Sequence, residues 1–340
     1  MMIRPPFRTI MTTLALSLSA AAIAAPAPFT NPLLPSGPDP WIAREGQDFY
    51  FMSTEGNRLV IRKTRNPGAL HAATPVTVWT PPAHGPNAIS VWAPELHRIQ
   101  GRWFIYYTAA QDGHDDDDHR GIFVLENDGP DPTKGAWTDR GQLKTAHHGI
   151  DGTVFEHGGK LYFVYSPYVG PESDLAIAPM ENPWTLGSPE VIIARPDQPF
   201  EQQGGRQILE GPEFLQGPKG DLFLTYSASA CWSDDYALGM LHAAPGSDPL
   251  DPKVWQKAPH AVFHKDAANS VYAPGHNGFF TSPDGKENWI VYHANPAANM
   301  KCTAARSPRM QRFTFDASGR PVFGRPVSSA TKLAPPSGTR

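Results

Sequence analysis

The sequence predicts an all-β chain folded as a five-bladed β-propeller, with its functional residues at the mouth of a central channel. Three observations predict it. The 340 residues carry 37 Pro and 30 Gly spread along the chain, the composition of many short elements joined by turns. No long stretch shows helical periodicity, and aromatics make up 11% of the residues. Above all, one unit recurs. It opens on a polar or charged residue among Gly, Pro or Trp and continues into an apolar run. A short Gly-containing turn and a second, aromatic-rich run ending in or near Tyr complete it. The units start at 39, 92, 151, 210 and 276, at spacings of 53, 59, 59 and 66 residues. A near-constant repeat of three or four strands marks a propeller, and a sandwich has no need of one.

The elements follow in order. Unit one opens at Asp39-Pro-Trp-Ile and turns at Gly46. Phe49–Met52 is its second strand, Arg58–Arg62 its third and Val76–Trp79 a fourth. Unit two runs from Trp92-Ala-Pro-Glu95 through Gly101 to Trp103–Tyr107, then Gly121–Leu125. Unit three runs from Asp151 through Gly158-Gly159 to Leu161–Tyr165, then Leu175–Ala178. Unit four runs from Glu210 through Gly217 and Gly220 to Tyr226, then Tyr236–Leu241. Unit five runs from His276 through Pro283-Asp-Gly285 to Trp289–Tyr292, then Met310–Phe315. Residues beyond about 325, rich in Pro, Ser and Thr, read as a loose tail.

Residues 1–24 read as a secretory signal, with Arg4 and Arg8 before an apolar stretch and Ala22-Ile-Ala24 as a small-residue cleavage site. The apolar stretch is short for a membrane span. The expectation is therefore an exported protein, secreted or periplasmic, with one catalytic domain over 25–340. A net charge of -4 and no basic stripe argue against a nucleic-acid partner. Nothing after the signal approaches membrane-spanning length. Cys231 and Cys302 each follow the second strand of neighbouring units, so a propeller brings their loops together and a disulfide between them is expected.

A propeller gathers the starts of its innermost strands around one channel. Asp39, Asp151 and Glu210 then meet at equivalent places in three of the five repeats. Three acids in one pocket suit glycoside hydrolysis: one carboxyl protonates the leaving oxygen, a second activates water, and a third adjusts the acid's pKa. Glu95 and Glu213 are read as structural carboxylates between blades. Trp92 offers an indole face to a sugar ring, and Trp41 serves either that purpose or the core. The run His114-Asp-Asp-Asp-Asp-His119 lacks the spacing of a calcium loop and is read as a solvated loop.

Taken together, Pro38-Asp-Pro-Trp41, Trp92-Ala-Pro-Glu95, Ile150-Asp-Gly-Thr153, Glu210-Gly-Pro-Glu213 and Gly275-His-Asn-Gly278 resemble the motifs of glycoside hydrolase family 43, from about Asn31 to Pro326. The resemblance implies an inverting enzyme with Asp39 as general base, Glu210 as general acid and Asp151 as pKa modulator. It implies a pocket arginine, for which Arg306 and Arg309 are alternatives that spacing does not separate. It also implies His276 as a ligand to a structural Ca2+ or Na+ in the channel, with no cofactor required for the chemistry. Leu34-Pro-Ser-Gly-Pro-Asp-Pro-Trp, Trp92–His97, Tyr226-Ser-Ala-Ser and Leu238-Gly-Met-Leu are most similar to the family's exo-acting α-L-arabinofuranosidases. The implied substrate is an arabinose-containing plant cell-wall polysaccharide or oligosaccharide, attacked by a monomer. A β-xylosidase, an endo-arabinanase and a non-catalytic sugar-binding propeller are the alternatives.

Overall fold

A computed structural model of the chain describes residues 1–3 and 26–339. All but the first three residues of the segment read as a secretory signal lie outside the described residues. Five antiparallel sheets form five blades. Blade one is Trp41–Glu45, Asp48–Met52, Leu59–Thr64 and Pro75–Trp79; blade two is Ile89–Ile99, Arg102–Ala110, Arg120–Asn127 and Thr138–Gln142. Blade three is built on Gly149–His157, Lys160–Val169, Leu175–Asn182 and Val191–Ala194, with two further two-residue strands. Blade four is Leu209–Gln216, Leu222–Ala228, Ala237–Ala243 and Gln256–Lys257; blade five is Tyr272–Thr281, Asn288–Asn295, Ser307–Phe315 and Pro321–Val322. The first strand of each blade touches the first strand of the next, and blade five's returns to blade one's, so the ring is closed.

The aromatic-rich second runs are buried on both faces, because each blade is sandwiched between two others. In blade two, Trp103, Ile105 and Tyr107 face blade one and pack with Tyr50, Met52 and Leu59. The alternate residues Phe104 and Tyr106 face blade three and pack with Val154, Phe163 and Tyr165. Period-two alternation thus assigns successive side chains to different junctions. Fully burying one such ring contributes roughly 1.5–3 kcal/mol, which makes each junction a substantial core.

The chain ends are not loose. Phe29 and Leu333 exchange backbone hydrogen bonds of 2.9 and 2.8 Å. Asn31 lies along blade five, donating to the Met310 carbonyl at 3.0 Å and accepting the Met310 N–H at 3.0 Å. Beyond residue 325 the expected tail is instead docked: Ser337 Oγ donates to Asp284 at 2.6 Å, its N–H bonds Glu287 at 2.9 Å, and Thr339 is buried. Composition suggested freedom there; the polar side chains are consumed in tying the last segment to the hairpin of blade five.

Candidate active site

Each innermost strand carries, within it or just before its start, a residue in the left-handed region. Asp39, Ala93, Asp151, Gly211 and His276 have φ of 56, 44, 57, 53 and 47°. A left-handed residue kinks the strand and turns its N–H sideways. At each junction that N–H, or the carbonyl beside it, finds a side chain of the preceding blade. Thr54 accepts from Ala93 (2.8 Å), Thr108 from Asp151 (2.9 Å) and Ser227 from His276 (2.6 Å). His293 Nδ1 accepts from Asp39 (3.0 Å), Asp151 Oδ2 accepts from Gly211 (3.0 Å), and Ser166 Oγ donates to the Leu209 carbonyl. The mouth is therefore a ring of polar staples, which fixes the side chains that point into it.

Asp39, Asp151, Glu210 and His276 meet in one pocket of about 380 Å³, together with Trp92, Arg306, Tyr168 and Arg206. The three acids are not strictly equivalent, as the repeat alone suggested. Asp39 and Asp151 are the left-handed residues themselves, whereas Glu210 is the residue before Gly211, and its longer side chain reaches the same space.

The three carboxyls are held in different states. Burial alone would raise Asp39, but Arg306, His276, His293 and the Thr54 hydroxyl together hold it well below the usual carboxylate range. Arg306 Nη1 lies 3.2 Å from Asp39 Oδ1, and Thr54 Oγ1 donates to Oδ2 at 2.6 Å. Asp151 is pushed up to about 7, chiefly by burial and then by Glu210 and Asp39, against the opposing pull of His276. Glu210 is also raised, by burial first, while the Tyr236 hydroxyl bonded to it at 2.6 Å opposes the shift. Asp151 and Glu210 therefore hold a proton between them at a pH where Asp39 is ionised. His276 Nδ1 sits 3.5 Å from Asp39 and 3.9 Å from Asp151; burial disfavours its charge, but the surrounding acids outweigh this and raise its pKa.

Of the two arginines left open by spacing, Arg306 lines the pocket. Arg309 does not: it is buried in the third strand of blade five, opposite Tyr292. Trp92 lines the pocket with the Arg120 guanidinium stacked on its ring at 4.1 Å. Trp41 lies elsewhere. Two residues beyond Asp39, it is one step further down the channel, donating to the Leu96 carbonyl at 2.8 Å, packing on His97 and lining a separate depression. Glu95 and Glu213 occupy that deeper level. Glu95 pairs with His97 at 2.8 Å, and burial, followed by the charge of Glu95 and the hydrogen bond to it, raises Glu213 far above its usual value.

A calcium ion takes six to eight oxygen ligands. Near His276 the channel offers little: Asp39 and Asp151 are engaged with its Nδ1, and Glu95 is engaged with His97 and Glu213. Glu213 Oε1 is a fully buried carboxyl oxygen without a protein partner. These residues alone do not make a calcium shell, and no step below runs through a cation.

The Cys231–Cys302 disulfide is formed, with Cα atoms 5.2 Å apart across 71 residues of sequence, and both residues line the pocket. Closing a loop of that length contributes about 4 kcal/mol in the chain-entropy account. Also at the rim, the loops around Asp117 and Arg206 are bridged by a 2.6 Å ion pair, and Arg120 bonds Asp117 at 3.1 Å. His114, Asp116 and His119 cluster on the exposed side of the same loop. Sequence reasoning missed Thr54, Arg206 and Trp232 in the pocket lining, and Tyr236 and His293, which bond Glu210 and Asp39 from behind it. Only Tyr236 left a trace, at the head of unit four's third run. Gly275 is Gly because a Cβ there would stand 2.2 Å from the Tyr236 ring.

An ionised carboxylate and a proton-holding carboxyl pair, enclosed at the mouth of a propeller, are the equipment of a glycosidase. The comparisons agree: residues 29–321 match the family described as Glycosyl hydrolases family 43, and the chain belongs to that family. It is 39% identical over 283 residues to an extracellular exo-α-(1→5)-L-arabinofuranosidase of Streptomyces chartreusis, spanning 81% of this chain and 85% of that one. It is 34% identical over 336 residues to alpha-L-arabinofuranosidase 43 of Humicola insolens, spanning 94% of this chain and 69% of that one. The crystal structure of an α-L-arabinofuranosidase from Lactobacillus brevis superposes with a TM-score of 0.83 at 35% identity, covering 89% of this chain and 98% of that one.

Proposed function

We propose that this protein is an exo-acting α-L-arabinofuranosidase that releases terminal arabinofuranose from arabinan or arabinoxylan side chains by an inverting mechanism. The observation that carries the reading is three acids in one pocket with different partners: Asp39 beside the Arg306 guanidinium at 3.2 Å, Glu210 beside the Tyr236 hydroxyl at 2.6 Å, and Asp151 between blades, which favours an ionised Asp39 and raised pKa values at the other two. Asp39 draws a proton from a water that attacks the anomeric carbon. Glu210 gives its proton to the leaving oxygen, and Asp151 keeps Glu210 protonated by its negative charge. The relatives named above support arabinose as the released sugar. The ion pair between Asp117 and Arg206 closes one side of the rim and the disulfide closes another, which supports a pocket for a chain end. Among the described residues no helix is long and apolar enough to cross a membrane. With the signal-like leader and an extracellular relative, this supports a secreted protein.

The test is turnover of aryl α-L-arabinofuranoside, aryl β-D-xyloside and α-1,5-linked arabinotriose, with the product anomer followed by NMR. Arabinose released first as the β-anomer is expected. Preference for the xyloside overturns the substrate, and α-arabinose as the first product overturns the mechanism.

A further inference from the structure

We propose that Trp232 is the platform of a leaving-group subsite, stacking on the second sugar of an arabino-oligosaccharide just beyond the scissile bond. The proposal rests on the arabinofuranosidase reading and adds where the retained part of the substrate lies.

Trp232 is 43% exposed, the only tryptophan among the described residues left so open, and it lines the catalytic pocket. What marks this ring is its place: it is open to solvent at the lining of the catalytic pocket. The ring is nevertheless fixed. Its Nε1 donates to the Gly204 carbonyl at 2.8 Å. Gly204 has φ +85°, and a Cβ there would stand 2.9 Å from Ala230 Cβ and 3.2 Å from Trp232 Nε1, so the seat of the ring admits only glycine. The preceding residue is disulfide-bonded to Cys302, and the Asp234 carboxylate accepts the Asn299 N–H at 2.9 and 3.0 Å. The loop is thus tied at two points to the neighbouring loop of blade five. A platform held in place before binding loses little entropy when a ligand arrives.

The acid fixes which side of the pocket this is. Glu210 must lie beside the leaving oxygen. Its partner Tyr236 stands four residues after Trp232, in the same connection between Leu222–Ala228 and Ala237–Ala243. The loop that holds the proton donor therefore also holds the indole, and a sugar leaving past Glu210 leaves past Trp232. With its N–H engaged, the ring offers an apolar face, which suits the C–H face of a sugar.

The test compares Trp232→Ala and Trp232→Phe in the full chain on two substrates. One is α-1,5-arabinotriose; the other is methyl α-L-arabinofuranoside, whose leaving group has no ring. Trp232→Ala is expected to raise KM for arabinotriose about tenfold, the scale of losing one buried ring face. The methyl glycoside, which has no second sugar to stack, should lose far less than arabinotriose, and so should inhibition by free arabinose. Trp232→Phe should keep most of the arabinotriose affinity, a rescue that a merely structural role would not give. Equal losses on both substrates, or no loss on arabinotriose, overturns the subsite alone. A wild-type enzyme that cleaves neither substrate overturns the arabinofuranosidase reading and the subsite with it.

Discussion

The Tyr236 hydroxyl donates a 2.6 Å hydrogen bond to Oε1 of Glu210, so the proposed general acid is held by one oxygen and leaves the other for substrate. This bond favours the ionised carboxylate and opposes the rise in pKa that burial imposes. Tyr236→Phe is therefore expected to raise the pKa of Glu210. Because Glu210 acts protonated, the alkaline limb of the pH–rate profile should move to higher pH. Loss of positioning should lower kcat/KM roughly tenfold or more, the scale of one hydrogen bond to a charged group. A full pH–kcat/KM profile checks both. An alkaline limb that stays put would detach Tyr236 from the acid.

Asp151 acts on the same limb in the opposite sense. Glu210 raises the pKa of Asp151; repulsion between like charges is mutual, so an ionised Asp151 disfavours ionisation of Glu210, and Asp151→Asn removes that charge while an amide oxygen can still accept the Gly211 N–H. The alkaline limb should move to lower pH. Shifts of opposite sign from the two substitutions, measured on one aryl arabinofuranoside, would locate the titrating group between them.

Glu210→Gln and Asp39→Asn separate acid from base. Without a proton donor, substrates with poor leaving groups should lose about 10²–10⁴-fold, and activated aryl glycosides far less. Without the base both substrate types should suffer alike. Asn is the informative replacement at position 39, because φ is 56° there and Asn tolerates the left-handed region better than Ala. An Asp39→Asn enzyme with near-normal turnover of arabinotriose would remove Asp39 from the mechanism.

Arg306 governs the acid limb. Burial works against ionisation of Asp39, and the guanidinium 3.2 Å away is the strongest of the groups that reverse it. In the wild type, activity should persist to pH values below the ordinary aspartate range. Arg306→Gln raises the pKa of Asp39, so the acid limb should move up in pH. The measurement is kcat/KM between about pH 3 and 6, the region of ordinary carboxylate titration.

The fold was legible because its signal is a repeat, and the three acids were legible because each opens a repeat. What failed were arguments from spacing alone. Trp41 shares a motif with Asp39, yet two residues along a strand carry it to another level of the channel. Arg306 and Arg309 differ by three residues, and only the start of a strand at Ser307 decides which one faces the pocket. The Pro/Ser/Thr-rich end looked free because composition does not reveal partners such as Glu287 and Asp284, which lie about fifty residues upstream. Loop residues such as Arg206 and Trp232 reach the site through contacts with other loops, and no periodicity announces those.

The staple between His293 and Asp39 spans 254 residues. At ribosomal speeds of roughly 5–20 residues per second, the backbone of Asp39, the proposed general base, waits about 13–50 s for its partner to be synthesised. Arg306, which keeps that base ionised, emerges later still, and the Phe29–Leu333 clasp comes almost last. Four finished blades hold an acid, a modulator and a base without the histidine and arginine that set their charges. A nascent chain is therefore expected to be inactive until its final blade docks, and a truncation before His293 to remove activity while leaving all three carboxylates in the sequence.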